Sequence, residues 1–254
     1  MLLQNKERLE DKWFIVEGLN LHTVFVANRS VKNSLPIVLV SGLGVSSSYM
    51  IPSALKLAEK ADVYCPDLPG FGQSSKPRVI LNISELAVAL AVVLEQNKIQ
   101  RAVVVGHSFG SQIAVEFALR YPEKLERLVL AAPTGDSEIN SVFPYFLRFL
   151  RNLPKEPISL VPLAIRDYLK AGLIRLWRTF KFSLQDSFED KLSRVQTPTL
   201  VIRGAKDPIV SPRWTERMME VLPQGKLVNI QGAAHAVNYN SPDEFTRAIQ
   251  EFLI

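Results

Sequence analysis

The sequence predicts an α/β protein: a mostly parallel, eight-stranded sheet flanked by helices, with an inserted helical lid. Two observations carry this prediction. Strand-like apolar segments alternate with helix-like segments along most of the 254 residues, as in a parallel sheet that is covered on both faces. The alternation stops over residues 134–196, where no strand pattern occurs. With 47% apolar residues, the chain can bury the core of one large domain with an insertion.

Eight short apolar runs that end at glycine, proline or polar residues are the predicted strands. The first two, residues 12–18 and 21–27, flank Gly18-Leu19-Asn20 and predict a hairpin at the sheet edge. The other six lie at residues 36–42, 61–70, 101–105, 127–132, 198–204 and 226–232.

Helices are predicted where good helix formers fill the gaps between strands. They lie at residues 49–60, 83–97, 109–121, 213–222 and 243–253. Ser84 is available to cap the second of these helices. Since helical crossovers join parallel strands, this alternation predicts that most of the sheet is parallel.

Residues 134–196 separate two predicted strands by far more chain than one crossover helix needs, so we expect several helices there. Four prolines would divide them into short segments. They are Pro144, Pro154, Pro157 and Pro162. The predicted core is therefore residues 1–133 and 197–254, and residues 134–196, called the insertion below, are predicted to form a helical lid.

The segment AVVVGHSFGSQIA, residues 102–114, is a strand that turns abruptly into a helix. Its turn has the pattern Gly106-x-Ser108-x-Gly110, which in this context predicts a nucleophilic serine on a tight, strained turn. Glycines are small enough to lie against the neighbouring backbone. The start of the following helix directs the N–H of Phe109 toward an oxygen bound in front of the serine side chain. A glycine turn that merely contains a serine is the alternative.

A serine nucleophile needs a base, and the chain has three histidines. His107 adjoins Ser108 and is expected to point elsewhere as a packed structural residue, and His22 lies in the edge hairpin. His235 lies in the loop between the last strand and the last helix, at the same carboxyl edge of the sheet as Ser108. We therefore expect His235 to be the base.

Two acids compete to orient the histidine. Asp207 follows the penultimate strand, whereas Asp136 follows the strand after the serine helix. We favour Asp207, because the chain order Ser, Asp, His with the acid in the next-to-last loop is the usual one. An Asp-Pro turn without chemistry is the alternative reading of Asp207.

With these three residues and the segment DLPGFGQSSKP at residues 67–77, the chain resembles the α/β-hydrolases that carry a helical lid, over essentially its whole length. Where that family commonly has His-Gly-x-Gly, this chain has Ser41-Gly42-Leu43-Gly44. The resemblance implies that the N–H of Leu43 joins that of Phe109 in an oxyanion hole. A serine nucleophile argues against the dehalogenase and epoxide hydrolase branches, whose covalent step uses aspartate.

The expected activity is hydrolysis of a carboxylic ester through an acyl-enzyme. Aromatic residues of the insertion, Phe143, Phe146 and Trp177, are the expected pocket residues and indicate a small substrate with an apolar acyl or aromatic group. One alternative is carbon–carbon bond hydrolysis in a β-diketone-like substrate, which Ala236 disfavours because an aromatic residue commonly follows the histidine there. A non-catalytic ligand receptor on the same fold is another.

A dinucleotide site is a competing interpretation of Gly42-x-Gly44-x-x-Ser47, with Asp67 at the end of the next strand. The third glycine of that motif is missing, and Asp67 runs directly into a Pro-Gly turn. We therefore expect no nucleotide cofactor, and the sequence offers no metal-ligand cluster.

The formal charge of +5 is modest and does not indicate a nucleic-acid partner. Eight basic and two acidic residues lie between Ser141 and Lys181. An apolar stripe at helical spacing accompanies them: Ile165, Leu169, Leu173, Leu176 and Phe180. We expect the stripe to pack on the sheet and the charges to be solvated; contact with an anionic membrane or guidance of an anionic substrate is the alternative.

The single cysteine, Cys65, excludes an intramolecular disulfide. The first residues are charged and lack the apolar stretch of a signal peptide. No apolar run has the length that a spanning helix requires. These features predict a soluble cytoplasmic protein.

Overall fold

The computed structural model describes residues 8–28, 34–139 and 141–254. Within them, eight strands form one sheet in the order β1-β2-β4-β3-β5-β6-β7-β8, which confirms the predicted architecture. The strands are β1 Leu9–Val16, β2 Leu19–Val26, β3 Ile37–Val40, β4 Val63–Asp67, β5 Ala102–His107, β6 Leu125–Ala131, β7 Thr199–Gly204 and β8 Gly225–Ile230. Among these strands, β2 runs antiparallel to the other seven, which all point in one direction.

Helices join the parallel strands and cover the sheet. Those of the core are α1 Ile51–Leu57, α2 Ile83–Gln96, α3 Phe109–Arg120, α8 Pro212–Val221, α9 Val237–Asn240 and α10 Pro242–Leu253. Those of the insertion are α4 Val142–Asn152, α5 Leu160–Ala171, α6 Leu173–Gln185 and α7 Phe188–Leu192. Every residue of β3, β5 and β7 is buried, because helices cover both faces of the central sheet.

Two local details differ from the sequence prediction. The first hairpin turns at Glu17-Gly18, both at positive φ, so its turn is two residues long and lies one residue earlier than expected. Helix α2 is capped by Asn82, whose side chain accepts from the Glu85 N–H at 3.0 Å while Glu85 accepts from the Asn82 N–H at 2.7 Å. Ser84 lies inside the helix and so cannot cap it.

The prolines of the insertion do not all break helices as expected. Pro144 and Pro162 lie in the first turns of α4 and α5, where a missing N–H costs no helical hydrogen bond. Pro154 and Pro157 do lie between those helices. The break between α5 and α6 falls instead at Gly172, which has φ +82.

That break also corrects the expectation that the apolar stripe packs on the sheet. Leu176 is partly buried against the core. Leu169 and Leu173 are 77% and 82% exposed. A stripe that is continuous on one ideal helix is divided here by the change of direction at Gly172, so its middle members face solvent. None of the helices in the described ranges is long and apolar enough to span a membrane.

Candidate active site

Ser108 occupies a strained turn between β5 and α3, with φ 54 and ψ −120. That positive φ is costly for a residue with a side chain, and such strain is typical of functional sites. A Cβ on Gly106 would overlap the backbone of Gly110, and a Cβ on Gly110 would lie 2.5 Å from the carbonyl oxygen of Val40. The turn therefore requires both glycines of the Gly-x-Ser-x-Gly pattern.

The structure brings Ser108, His235 and Asp207 together at the carboxyl edge of the sheet. His235 Nε2 lies 2.9 Å from Ser108 Oγ, and His235 Nδ1 lies 2.8 Å from Asp207 Oδ2. Ser108 follows β5, His235 follows β8 and Asp207 follows β7, and these three strands all end at this edge. The geometry allows His235 to accept a proton from the Ser108 hydroxyl.

Asp207 is held as a buried carboxylate. Its Oδ1 accepts hydrogen bonds from the N–H groups of Ile209 at 2.7 Å and Val210 at 3.1 Å. Burial raises the pKa of Asp207, but the contact with His235 and these two N–H donors outweigh it, so its pKa lies below the ordinary 3.8. The carboxylate can therefore hold the Nδ1 proton of His235.

His235 has a raised pKa. Burial lowers the pKa of the imidazole, but the Asp207 carboxylate more than offsets this, and Glu156 adds to the effect, so the value lies above 6.5. With Nδ1–H donated to Asp207, the lone pair of Nε2 faces Ser108. A more basic nitrogen in contact with a hydroxyl is what a general base requires.

Asp136, the competing acid, lies outside this cluster. Its Oδ1 accepts from Arg217 Nη2 at 2.6 Å, and its Oδ2 lies 3.7 Å from Arg148 Nη1. The side chain is buried and is engaged by arginines rather than by a histidine. It ties the loop after β6 to α8 and α4.

His107 packs behind the site as expected. Its Nε2 donates to the carbonyl oxygen of His235 at 3.0 Å, and their rings lie 5.2 Å apart. Burial, together with the charge on His235, lowers the pKa of His107 to about 3. The neutral ring therefore holds the His235 loop in place.

Asp67, which the dinucleotide interpretation needs for a ribose, has no free oxygen. Its Oδ1 accepts from the Ser47 N–H at 2.6 Å, and its Oδ2 binds the Gln73 N–H at 2.9 Å and His22 Nδ1 at 2.7 Å. The side chain is fully buried. This carboxylate organises the turn at residues 67–77 and cannot reach a nucleotide.

The loop that contains Leu43 passes directly beside the serine. A Cβ on Gly42 would lie 3.3 Å from Ser108 Cβ, and both Leu43 and Phe109 line the same cavity as Ser108. Ser41 donates its hydroxyl to the carbonyl oxygen of Val45 at 3.0 Å. The serine that replaces the usual histidine thus closes this loop on itself.

Ser108 and His235 open into a cavity of about 850 Å³ between the sheet edge and the insertion. Phe146 and Trp177 line it as predicted, but Phe143 does not and is 67% exposed. The α4 residues that face the cavity are Val142, Tyr145, Phe146, Phe149 and Asn152. Phe143 lies outside that helical face, since the inward positions recur every three or four residues.

Sequence reasoning missed two polar residues of the insertion that bind the His235 loop. Glu156 Oε1 accepts from the Ala236 N–H at 2.8 Å and from Asn152 Nδ2 at 2.9 Å, and its Oε2 accepts from Asn240 Nδ2 at 3.0 Å. Asn152 Oδ1 accepts from the His235 N–H at 3.4 Å. The one available signal was Glu156 itself, an isolated acid in a basic segment.

Among the described residues, no group of three or more His, Cys, Asp or Glu side chains could hold a metal ion.

A model of the alpha/beta hydrolase family matches residues 37–248 of the chain. The chain is 28% identical to the uncharacterized hydrolase YugF of Bacillus subtilis, over 94% of this chain and 96% of that protein. It is 29% identical to the putative carbamate hydrolase RutD of Pseudomonas savastanoi pv. phaseolicola, over 85% and 93%. The crystal structure of a membrane phospholipase A superposes with a TM-score of 0.82 at 23% identity, covering 99% of this chain and 89% of that one, which shows a shared fold.

Proposed function

The chain belongs to the alpha/beta hydrolase family and is a hydrolase, and we propose that it cleaves carboxylic esters with an apolar acyl or aromatic group, using Ser108 as nucleophile. One observation carries the proposal. A continuous chain of hydrogen bonds runs from Asp207 through His235 to Ser108, and it ends at a mainly apolar cavity. A serine in that position is activated and has room for a substrate.

In the first step, Ser108 Oγ attacks the carbonyl carbon of the ester while His235 Nε2 takes the hydroxyl proton. The imidazolium that forms is stabilised by Asp207, which remains ionised and keeps the ring in the productive orientation. Because the pKa of His235 is already raised, this proton transfer is favoured near neutral pH.

The tetrahedral intermediate carries a negatively charged oxygen. We assign the N–H groups of Leu43 and Phe109 as the donors that bind this oxygen. Phe109 begins helix α3, so its N–H is not used by the helix and points out at the positive end of the helix dipole. Donors of this kind stabilise the transition state more than the ground state.

Collapse of the intermediate breaks the ester bond, and His235 gives its proton to the leaving alcohol. A water molecule then enters, loses a proton to His235 and attacks the acyl-enzyme carbonyl. The second intermediate collapses to the free acid and restores the Ser108 hydroxyl. The same three residues therefore serve both half-reactions.

The insertion, residues 134–196, is proposed to act as a lid that supplies the substrate-binding wall. Phe146 and Trp177 from α4 and α6 face the same cavity as Ser108. Such a wall favours apolar groups, because burying them removes their surface from water. Glu156 lies on the wall too, but its oxygens already accept hydrogen bonds from the Ala236 N–H, next to His235, and from the Asn240 side chain in α9.

The test is a panel of p-nitrophenyl esters from acetyl to dodecanoyl, with β-diketones as a second set. We expect turnover of the esters with a preference for medium acyl chains, and a loss of about 10⁴-fold or more in Ser108→Ala, whose melting temperature stays near that of the parent. Turnover of the β-diketones alone would assign carbon–carbon cleavage instead. Normal ester turnover in Ser108→Ala would refute the mechanism.

A further inference from the structure

Exposed apolar side chains are concentrated on the insertion. Of the nineteen large apolar side chains that are exposed in the described ranges, thirteen lie between Phe143 and Trp177. Scattered exposed apolar residues are ordinary on a protein surface, but a concentration on one substructure marks an interaction site.

Seven of these residues border the opening of the active-site cavity, since they line the cavity and also meet solvent. They are Phe146, Phe149, Leu153, Val161, Ile165, Leu173 and Trp177. Their exposed fractions run from 39% at Phe149 to 82% at Leu173. The route to Ser108 is therefore ringed by apolar surface rather than by the polar rim that a water-soluble substrate would meet.

Two further apolar side chains extend this surface beyond the cavity. Leu169 and Ile174 flank the break at Gly172 between α5 and α6, and they are 77% and 73% exposed. Neither lines the cavity. These two side chains therefore do not contact a substrate inside the cavity, and substrate binding there does not explain their exposure.

Three exposed basic residues lie on the same two helices. Within the described part of the chain, Lys170, Arg178 and Lys181 form no ion pair, and Lys181 Nζ lies 5.2 Å from the centre of the Trp177 ring. In contrast, Arg166 is paired with Asp167, and Arg175 donates to the carbonyl oxygen of Pro77. We use the name docking face for three groups of residues taken together. They are the residues that border the cavity opening, the pair Leu169 and Ile174, and these three basic residues.

We propose that the docking face binds an anionic phospholipid bilayer, with the cavity opening turned toward the lipids. Apolar side chains inserted among acyl chains, with basic side chains among anionic headgroups, match the two layers of such a surface. A second copy of the chain is disfavoured as the occupant. Residues 141–181 carry eight basic and two acidic side chains, so two such segments would repel each other.

Docking itself does not depend on catalysis, whereas its consequence rests on the proposed function. An acyl ester dissolved in the bilayer could pass from the lipid into the cavity without crossing water. The substrate class would then be membrane-resident acyl esters rather than freely soluble ones.

The experiment is flotation of the full chain carrying Ser108→Ala with phosphatidylcholine vesicles, with and without phosphatidylglycerol, at low and moderate salt. We expect binding to the anionic vesicles alone, weakened by salt. Combining Lys170→Glu, Arg178→Glu and Lys181→Glu should lower the partition coefficient by roughly 150-fold or more, given about 1 kcal/mol per basic residue at such a surface.

A matched control changes the net charge equally, away from the docking face. Lys60→Glu, Lys226→Glu and Arg247→Glu alter exposed positions of the core and should leave vesicle binding within about twofold. An equal loss in both triple variants would overturn the proposal, because binding would then follow net charge alone. So would the absence of vesicle binding at low salt.

A second pair of variants tests the apolar part. Leu169→Ser with Ile174→Ser should weaken binding, whereas Ile15→Ser with Val79→Ser, at equally exposed positions of the core, should not. Both pairs should hydrolyse a soluble short-chain ester at the parent rate when Ser108 is present. A concentration-dependent dimer that only the first pair abolishes would assign this face to a second copy and overturn the proposal.

Discussion

The molecule contains two histidine–aspartate pairs with almost the same geometry. His22 Nδ1 lies 2.7 Å from Asp67 Oδ2 at the edge of the sheet, and His235 Nδ1 lies 2.8 Å from Asp207 Oδ2 at the candidate active site. Both aspartate side chains are fully buried. The contact that defines an oriented histidine is therefore present twice in one chain.

The two pairs differ at the second ring nitrogen. His22 Nε2 lies 2.8 Å from a second carboxylate, that of Asp11, whereas His235 Nε2 faces the Ser108 hydroxyl at 2.9 Å. Burial lowers the pKa of His22, but its two carboxylate partners outweigh this and raise it. An imidazole between two carboxylates is stabilised as a cation, whereas one facing a hydroxyl in a cavity can take up a proton. The partner of Nε2, rather than the His–Asp contact, separates the structural pair from the candidate catalytic one.

Removing the carboxylate from each pair should give opposite phenotypes. Asp207→Asn should lower kcat by about 10⁴-fold with a small change in melting temperature, because the amide holds the wrong tautomer of His235. Asp67→Asn should lower the melting temperature and leave kcat within a few fold. Steady-state kinetics and thermal melts on both variants make the comparison. A folded Asp67→Asn protein as inactive as Asp207→Asn would show that the two pairs are not distinct in role.

Asp136→Asn provides a third aspartate for the same measurement. Because Asp136 contacts Arg217 and Arg148, its replacement should weaken a buried ion pair and leave kcat nearly unchanged. A larger loss of kcat than in Asp207→Asn would mean that the acid of the triad lies in the loop after β6.

Glu156→Gln should act on the pH profile. His235 must be neutral to accept the Ser108 proton, so kcat/KM should fall as pH falls through its raised pKa, with an inflection above pH 6.5. Removing the negative charge of Glu156 lowers the pKa of His235 and should move this inflection to lower pH. The loss of its bonds to the His235 loop should also reduce kcat modestly.

Asn240→Ala is the control for Glu156→Gln, since it removes one hydrogen bond to Glu156 without a charge. It should leave the inflection where the parent has it. A shift of the inflection to higher pH in Glu156→Gln would contradict the assigned electrostatics.

The smallest expected effects are on the pH dependence of stability, and they have opposite signs at two histidines. His107 is kept neutral in the fold with a pKa of about 3, so the unfolded chain binds its proton first. Its contribution to the free energy of unfolding therefore falls as pH drops from about 6.5 toward 4, by at most about 1.4 kcal/mol per pH unit. His22 has a raised pKa, so its contribution is full below about pH 6.5 and is lost as pH rises through the folded pKa.

Urea unfolding of His107→Gln and His22→Gln across this range measures both contributions. The difference from the parent should shrink or reverse toward low pH for His107→Gln and grow toward low pH for His22→Gln. If the stability difference from the parent changed with pH in the same direction in both variants, the assigned charge states would be contradicted.

The positions of Ser108, His235 and Asp207 could be predicted because topology fixes them. Loops after parallel strands open at one edge of the sheet, and the close approach of backbone at Gly106 and Gly110 leaves a readable pattern in the sequence.

The positions of individual side chains in the insertion could not be predicted from the sequence, because tertiary contacts place them. Which face of α4 turns inward decides that Phe146 lines the cavity and Phe143 does not. The contact of Glu156 with Ala236 joins positions far apart in sequence. The break at Gly172, which no turn pattern identified, decides that Leu169 meets solvent.

The central claim is that Ser108 is the nucleophile, and the most direct measurement is labelling with a fluorophosphonate followed by peptide mass spectrometry. The parent protein should take up one adduct per chain, on the peptide that contains Gly106 to Gly110, with the modified atom at Ser108. The Ser108→Ala protein should take up none. An adduct on any other residue of the parent, or undiminished labelling of Ser108→Ala, would contradict the account.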